Sequence, residues 1–110
     1  MTVSQLAEKL GLIQAWEGWK DRDVSGAFTS DLLSDVMAHA DEGQILITIQ
    51  AHKNTVAVAV LKDLSAMVIA SNRPVPEDMI EAARDEDVPI FVTSDNQYEA
   101  GWRIHEILEQ

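Results

Sequence analysis

A chain of 110 residues with 46% hydrophobic content is the length of one globular domain and can bury one core. It has no cysteine, which excludes disulfides and thiolate metal sites. Its 19 acidic residues outnumber 8 basic ones, a formal net charge of −11, and such a surface repels phosphate backbones, so general nucleic-acid binding is disfavoured.

The elements follow in chain order. Val3 to Leu10 reads as a short helix with Val3, Leu6, Ala7 and Leu10 on one face and Gly11 as its stop. Leu12 to Trp16 and Val24 to Phe28 read as short strands around the polar turn "EGWKDRD". Thr29 or Ser30 is expected to cap a helix whose apolar face is Leu32, Leu33, Val36, Met37 and Ala40. Ile45 to Ile49 is a continuous apolar run, as in a strand covered on both faces of a parallel sheet. The loop "QAHKN" follows, with Asn54 as the expected helix cap. The next run, "TVAVAVL", fits either a helix or the second strand of a hairpin. The loop has no glycine for a tight hairpin turn, which favours the helix. Ala66 to Ala70 is a third core strand, Glu77 to about Asp87 a helix opened by Pro76, and Pro89 to Val92 a fourth strand. A last helix spans Gln97 to Leu108, with Tyr98, Gly101, Trp102, His105 and Leu108 sharing a face. Strand–helix alternation with short connections predicts an α/β fold of three layers, α/β/α, around a mainly parallel sheet, as one domain over 1–110.

The opening "MTVSQLAEKLGL" has neither a basic stretch nor a long apolar run, so no secretory signal is expected. The longest apolar run, "VAVAVL", is too short to span a bilayer. A cytoplasmic protein without membrane contact is expected.

Three segments, "GWKDRDVSG", "SDLLSDVMAHADEGQILITIQAHKNTVAVAVL" and "RPVPEDMIEAARDEDVPIFVTSDNQYEAG", resemble the DRTGG domain family in order and over nearly the whole chain. The N-terminal domain of HPr kinase/phosphorylase is similar in fold. Members occur beside CBS domains in nucleotide-regulated pyrophosphatases and as stand-alone chains, some near iron-hydrogenase genes. The resemblance implies a non-catalytic regulatory or assembly module with a protein partner, hydrogenase-related in some members. Asp21 and Arg22 match the family's Asp-Arg pair. The glycine pair that many members carry after the central strand is replaced here by Thr48, Ile49, Gln50 and Ala51, and close backbone approach to a phosphate favours glycine.

No constellation completes a reaction. The five glycines are isolated and no Gly-Lys-Ser/Thr motif occurs, so there is no phosphate cradle and no cofactor is expected. His39, His52 and His105 lack metal-ligand spacing. Asp31 and Asp35, at i and i+4 on the expected helix, chelate a cation only with further oxygen ligands. Ser94 with Asp95, or Thr48 with His52, is a fragment of a nucleophilic set and reads more simply as loop bonding and capping. Trp16, Trp19 and Trp102 read as core or interface anchors rather than an aromatic platform.

One placement stands out. A parallel sheet brings the segments after three strands to one edge, where ligands of open α/β folds sit. Those segments supply Thr48, Gln50, His52, Lys53, Asn54, Asn72, Arg73, Ser94, Asp95 and Asn96. Lys53 and Arg73 beside a helix N-terminus form a candidate site for an anionic adenine nucleotide. With no catalytic set, the leading reading is a regulatory or assembly module that binds a protein, and the nucleotide sensor is the alternative. A homodimer is also expected, through Val56, Ala57 and Val60 or through the face containing Trp102.

Overall fold

The computed structural model describes all 110 residues. Its elements are α1 (Val3–Leu10), β1 (Ile13–Gln14), β2 (Gly26–Thr29), α2 (Leu33–His39), β3 (Gln44–Thr48), α3 (Lys53–Leu61), β4 (Ala66–Ile69), α4 (Glu77–Glu86), β5 (Ile90–Val92) and α5 (Gln97–Leu108). The sheet order is β1-β5-β4-β3-β2. Strands β2 to β5 are parallel and adjacent in chain order, and β1 joins the far edge of β5 antiparallel. The three-layer α/β/α reading holds, and "TVAVAVL" is helical.

Period-two alternation divides the apolar strands between two cores. Leu46, Met67, Ile69 and Ile90 face Val36 of α2, Val56 and Ala59 of α3, and Met79 and Ala83 of α4. Ile45, Ile47, Ala66, Val68 and Phe91 face Val3 and Leu6 of α1 and Ala100 and Ile104 of α5. Burial on both faces is why these strands read as unbroken apolar runs. Trp16 lies in the first core, where its indole N–H donates to the Val88 carbonyl at 2.9 Å. Trp19 stands edge-on to Phe91, with ring centroids 5.5 Å apart. With Trp16 buried, the three tryptophans form no common platform.

One helix face differs from expectation, and a second takes a direction that spacing alone did not give. In α2 only Val36 is buried; Leu32 precedes the helix as its cap residue and is exposed, as is Met37. In α5 the buried residues are Ala100 and Ile104, so the Tyr98–Trp102 face points outward, with Tyr98 80% and Trp102 48% exposed. Helical spacing finds a face but not its direction when large residues lie on the outer side and alanine on the inner. No helix is long and apolar enough to cross a membrane.

Candidate functional site

Strands β2, β3, β4 and β5 all end at one edge of the sheet, so their following loops meet there. The expected polar residues do lie on those loops. The backbone donors of these loops and the Thr48 and Asp95 side chains, however, bond inward.

Thr48 is fully buried at the end of β3. Its hydroxyl donates to Asp31 Oδ1 at 2.8 Å and accepts from the Gln50 N–H at 3.1 Å. The same Asp31 oxygen accepts the Ile49 N–H at 2.9 Å and the Gln97 side-chain amide at 3.0 Å. The Ala51 N–H donates to the Ile49 carbonyl and the His52 N–H to the Gln50 carbonyl. Four successive backbone donors, from residues 49 to 52, are thus committed within the chain. Where a phosphate would need free N–H groups, the Asp31 carboxylate already takes one of them.

The helix cap also differs from expectation. His52, not Asn54, is the N-cap of α3: its Nδ1 accepts the Asn54 N–H at 3.0 Å, and Asn54 lies inside the helix. A ring nitrogen without a hydrogen offers the same acceptor as an Asx oxygen, here two residues before Asn54.

The second and third loops close on each other. After β4 the chain turns to α4 on one face of the sheet; after β5 it turns to α5 on the other. A split of this kind opens a crevice in many α/β folds. Here the Ser71 N–H donates to the Asp95 carbonyl and the Asn72 N–H to the Thr93 carbonyl, both at 2.8 Å, across the split. Ser71 and Asn72 are both left-handed, with φ of 59° and 53°, which aims the two donors that way. The Asp95 carboxylate pairs with Arg103 of α5, and Ser94 is exposed beside it. Lys53 and Arg73 are exposed and have no carboxylate partner, and Gln50 is exposed.

The two candidate metal aspartates do not share a helix face. Asp31 precedes α2, whereas Asp35 is inside it and pairs with His39 at 2.9 Å. Hydrogen bonds from Ser30 and His39 hold the Asp35 carboxyl below its ordinary value, and the His39 charge adds to this. No group of three His, Asp or Glu side chains converges anywhere in the chain.

Asp21 and Arg22 lie at the opposite, amino edge and act as a staple. Asp21 accepts the Ser4 N–H at 2.9 Å and the Ser4 hydroxyl at 2.5 Å, tying the turn to α1. Arg22 donates to the Leu64 carbonyl at 2.9 Å and to Asp63 at 2.7 Å, tying it to the start of β4. Burial pushes the Asp21 carboxyl up, but the Ser4, Thr2 and Arg22 hydrogen bonds together hold it below its ordinary value of 3.8. A carboxyl lowered by folding stabilises the fold above its unfolded value, and that contribution is lost as pH falls through the lower folded value. The melting-temperature gap between wild type and Asp21→Asn is therefore expected to shrink as pH drops below 3.8. A gap of constant size through the acid range would contradict the staple.

The largest cavity lies elsewhere, as a groove of about 580 Å³ between α3 and α4. Its walls are Val56, Ala57, Val60, Leu61 and Ala82, with Lys53, Asp85 and Glu86 among the polar lining. Along α3, positions 53, 54, 57, 60 and 61 are exposed and form one face, spaced at i, i+3/i+4 and i+7/i+8. Val60 is 39% and Leu61 72% exposed. Beyond Lys53 and Asn54 the helix is apolar on this side as well as on its buried side, and in a chain of 19 acidic residues it contains none. The sequence signal for this face was the ambiguous Val/Ala run itself, since a helix with no polar side gives no helical period.

A solved structure of the CBS and DRTGG domains of the regulatory region of Clostridium perfringens pyrophosphatase, complexed with the activator diadenosine tetraphosphate, has a similar fold. The TM-score is 0.69 at 12% identity, over 93% of this chain. This chain spans only 45% of that one. A search of curated proteins finds no match. The family model for the DRTGG domain matches residues 20–107, and the chain belongs to the DRTGG domain family.

Proposed function

We propose that this chain is a non-enzymatic regulatory or assembly module that acts by binding a protein through the outward face of α3. The observation that carries this reading is a helix that is apolar on its covered side and, beyond Lys53 and Asn54 of its first turn, also on its exposed side. Helices of that composition are normally buried completely. Supporting it, the strand-end loops commit the backbone donors of residues 49 to 52, Ser71 and Asn72 within the chain, where a small anion would need them free. The fold neighbour belongs to a regulatory region, which fits a module that modulates other proteins.

The test is a photo-crosslinking amino acid placed at Leu61, with the same group at Glu106 on α5 as a control. The expected result is a protein crosslink from position 61 in the native cell and none from position 106. A hydrogenase-related partner, which the family resemblance implies, would be identified in that product. No protein product from position 61 contradicts the reading.

A nucleotide sensor is the second reading. It draws on the unpaired Lys53 and Arg73 at the strand ends and on the activator bound by the fold neighbour. That neighbour contains two kinds of domain and this chain spans less than half of it. If the sensor reading is right, millimolar AMP, ADP or ATP raises the melting temperature. Lys53→Ala and Arg73→Ala each then weaken binding by roughly 10- to 150-fold, the loss of one charge-assisted contact. The protein-binding reading expects no thermal shift with any of the three.

A further inference from the structure

We propose that the outward face of α3 pairs with a second copy of this chain. The two α3 helices pack antiparallel about a two-fold axis, and each Lys53 meets Asp85 and Glu86 of the other copy. This deepens the protein-binding reading of the same face by naming its occupant.

Self-complementarity is the reason to commit to a second copy. Both α3 and α4 descend from the strand ends toward the amino edge of the sheet. The groove between them is lined by Val60 and Leu61 from the end of α3 and by Ala82, Asp85 and Glu86 from the end of α4. The one cation of the face, Lys53, therefore stands at the beginning of α3. The two carboxylates of the groove, Asp85 and Glu86, stand beside its end. Eight residue steps separate Lys53 from Leu61, about 12 Å along the axis. A two-fold axis through the middle of α3, near Ala57, reverses one helix on the other. Each Lys53 then reaches the far end of the opposite groove, where the carboxylates are. A two-fold interface requires this arrangement, in which one patch carries both halves of every contact.

Charge points the same way. Two copies of net charge −11 repel each other, so they can approach only where neither presents carboxylates at the centre of contact. The exposed side of α3 is such a place. Its central residues, Ala57, Val60 and Leu61, are uncharged, and its only charge is positive. None of Lys53, Asp85 and Glu86 has an ion-pair partner within the single chain. A basic protein would be drawn to Asp85 and Glu86 but would meet Lys53 at the other end of the same groove.

The experiment is sedimentation equilibrium of the full chain to high micromolar concentration, with far-ultraviolet circular dichroism to confirm folding of each variant. Wild type is expected to be dimeric. Lys53→Glu, an exposed change, is expected to weaken the dimer roughly 2- to 30-fold through the loss of two reciprocal pairs. The triple variant Lys53→Glu/Asp85→Lys/Glu86→Lys reverses every charge of the contact and is expected to restore dimerisation. Val60→Asp is expected to leave a folded monomer. A wild type that stays monomeric overturns the proposal, and so does a triple variant no better than Lys53→Glu. A monomer whose position 61 still crosslinks to a different protein overturns the second copy alone and leaves the protein-binding reading standing.

Discussion

Leu46→Ala will destabilise the fold by about 2–5 kcal/mol, the cost of losing a buried leucine and leaving a cavity. Leu46 is fully buried in β3, the strand between β2 and β4, and faces the core shared with α2, α3 and α4. Three helices on one face cannot all move to fill one missing side chain, which places the cost in the upper half of that range. For a domain of this size each kcal/mol lowers the melting temperature by roughly 4 °C or more. Denaturant melts of wild type and variant measure it, with an unchanged slope showing that the fold is the same. A loss below about 1 kcal/mol would mean that β3 does not occupy the centre of the sheet.

The second large effect is expected at Asp31. One of its carboxylate oxygens accepts from Thr48, Ile49 and Gln97, which joins the ends of β2 and β3 to the start of α5. Hydrogen bonds to a charged acceptor contribute about 1.5–3 kcal/mol each before coupling, so Asp31→Ala should cost at least about 2 kcal/mol. Asp31→Asn keeps one acceptor oxygen and should cost less. Hydrogen exchange at the Ile49 amide reads the local effect directly, since that N–H loses its partner. If Asp31→Ala melts with wild type and the Ile49 amide stays protected, the carboxylate does not organise this edge.

The strands were legible because each is covered on both sides, which turns the usual alternation into continuous apolar runs such as Ile45 to Ile49. The helical state of "TVAVAVL" was legible from the loop before it, not from its own pattern. Capping was not legible: His52 displaced Asn54 at α3, and α2 is preceded by Leu32 with no side-chain cap bond rather than capped by Thr29 or Ser30. The direction of α5 was not legible: Tyr98 and Trp102 outweigh Ala100 on any hydrophobicity count, whereas the tight approach of the helix to the sheet selects the small residue.

The strand-end site was legible as a location and not as a chemistry. Polar residues after parallel strands are read easily from the chain. Whether their donors and acceptors are free depends on Asp31, which accepts from Ile49 18 residues on, and on Arg103, which donates to Asp95 8 residues before it. No local pattern encodes those partners. The Asp-Arg pair of the family likewise gave no local clue that Arg22 spans to Leu64, 42 residues away. Within this chain the pair braces the amino edge of the sheet, far from the strand-end loops.

The central claim is that protein covers the outer face of α3, and the absence of cysteine allows a direct measurement. Leu61→Cys and Glu106→Cys each give the chain a single thiol, on α3 and on α5 respectively. Their rates of maleimide labelling are compared between the native cell extract and the purified chain at high dilution. The account predicts that Cys at position 61 is protected in the extract by at least about tenfold, a shift of roughly 1.4 kcal/mol, while position 106 labels at the same rate in both. Equal labelling of position 61 in extract and dilute solution would contradict it.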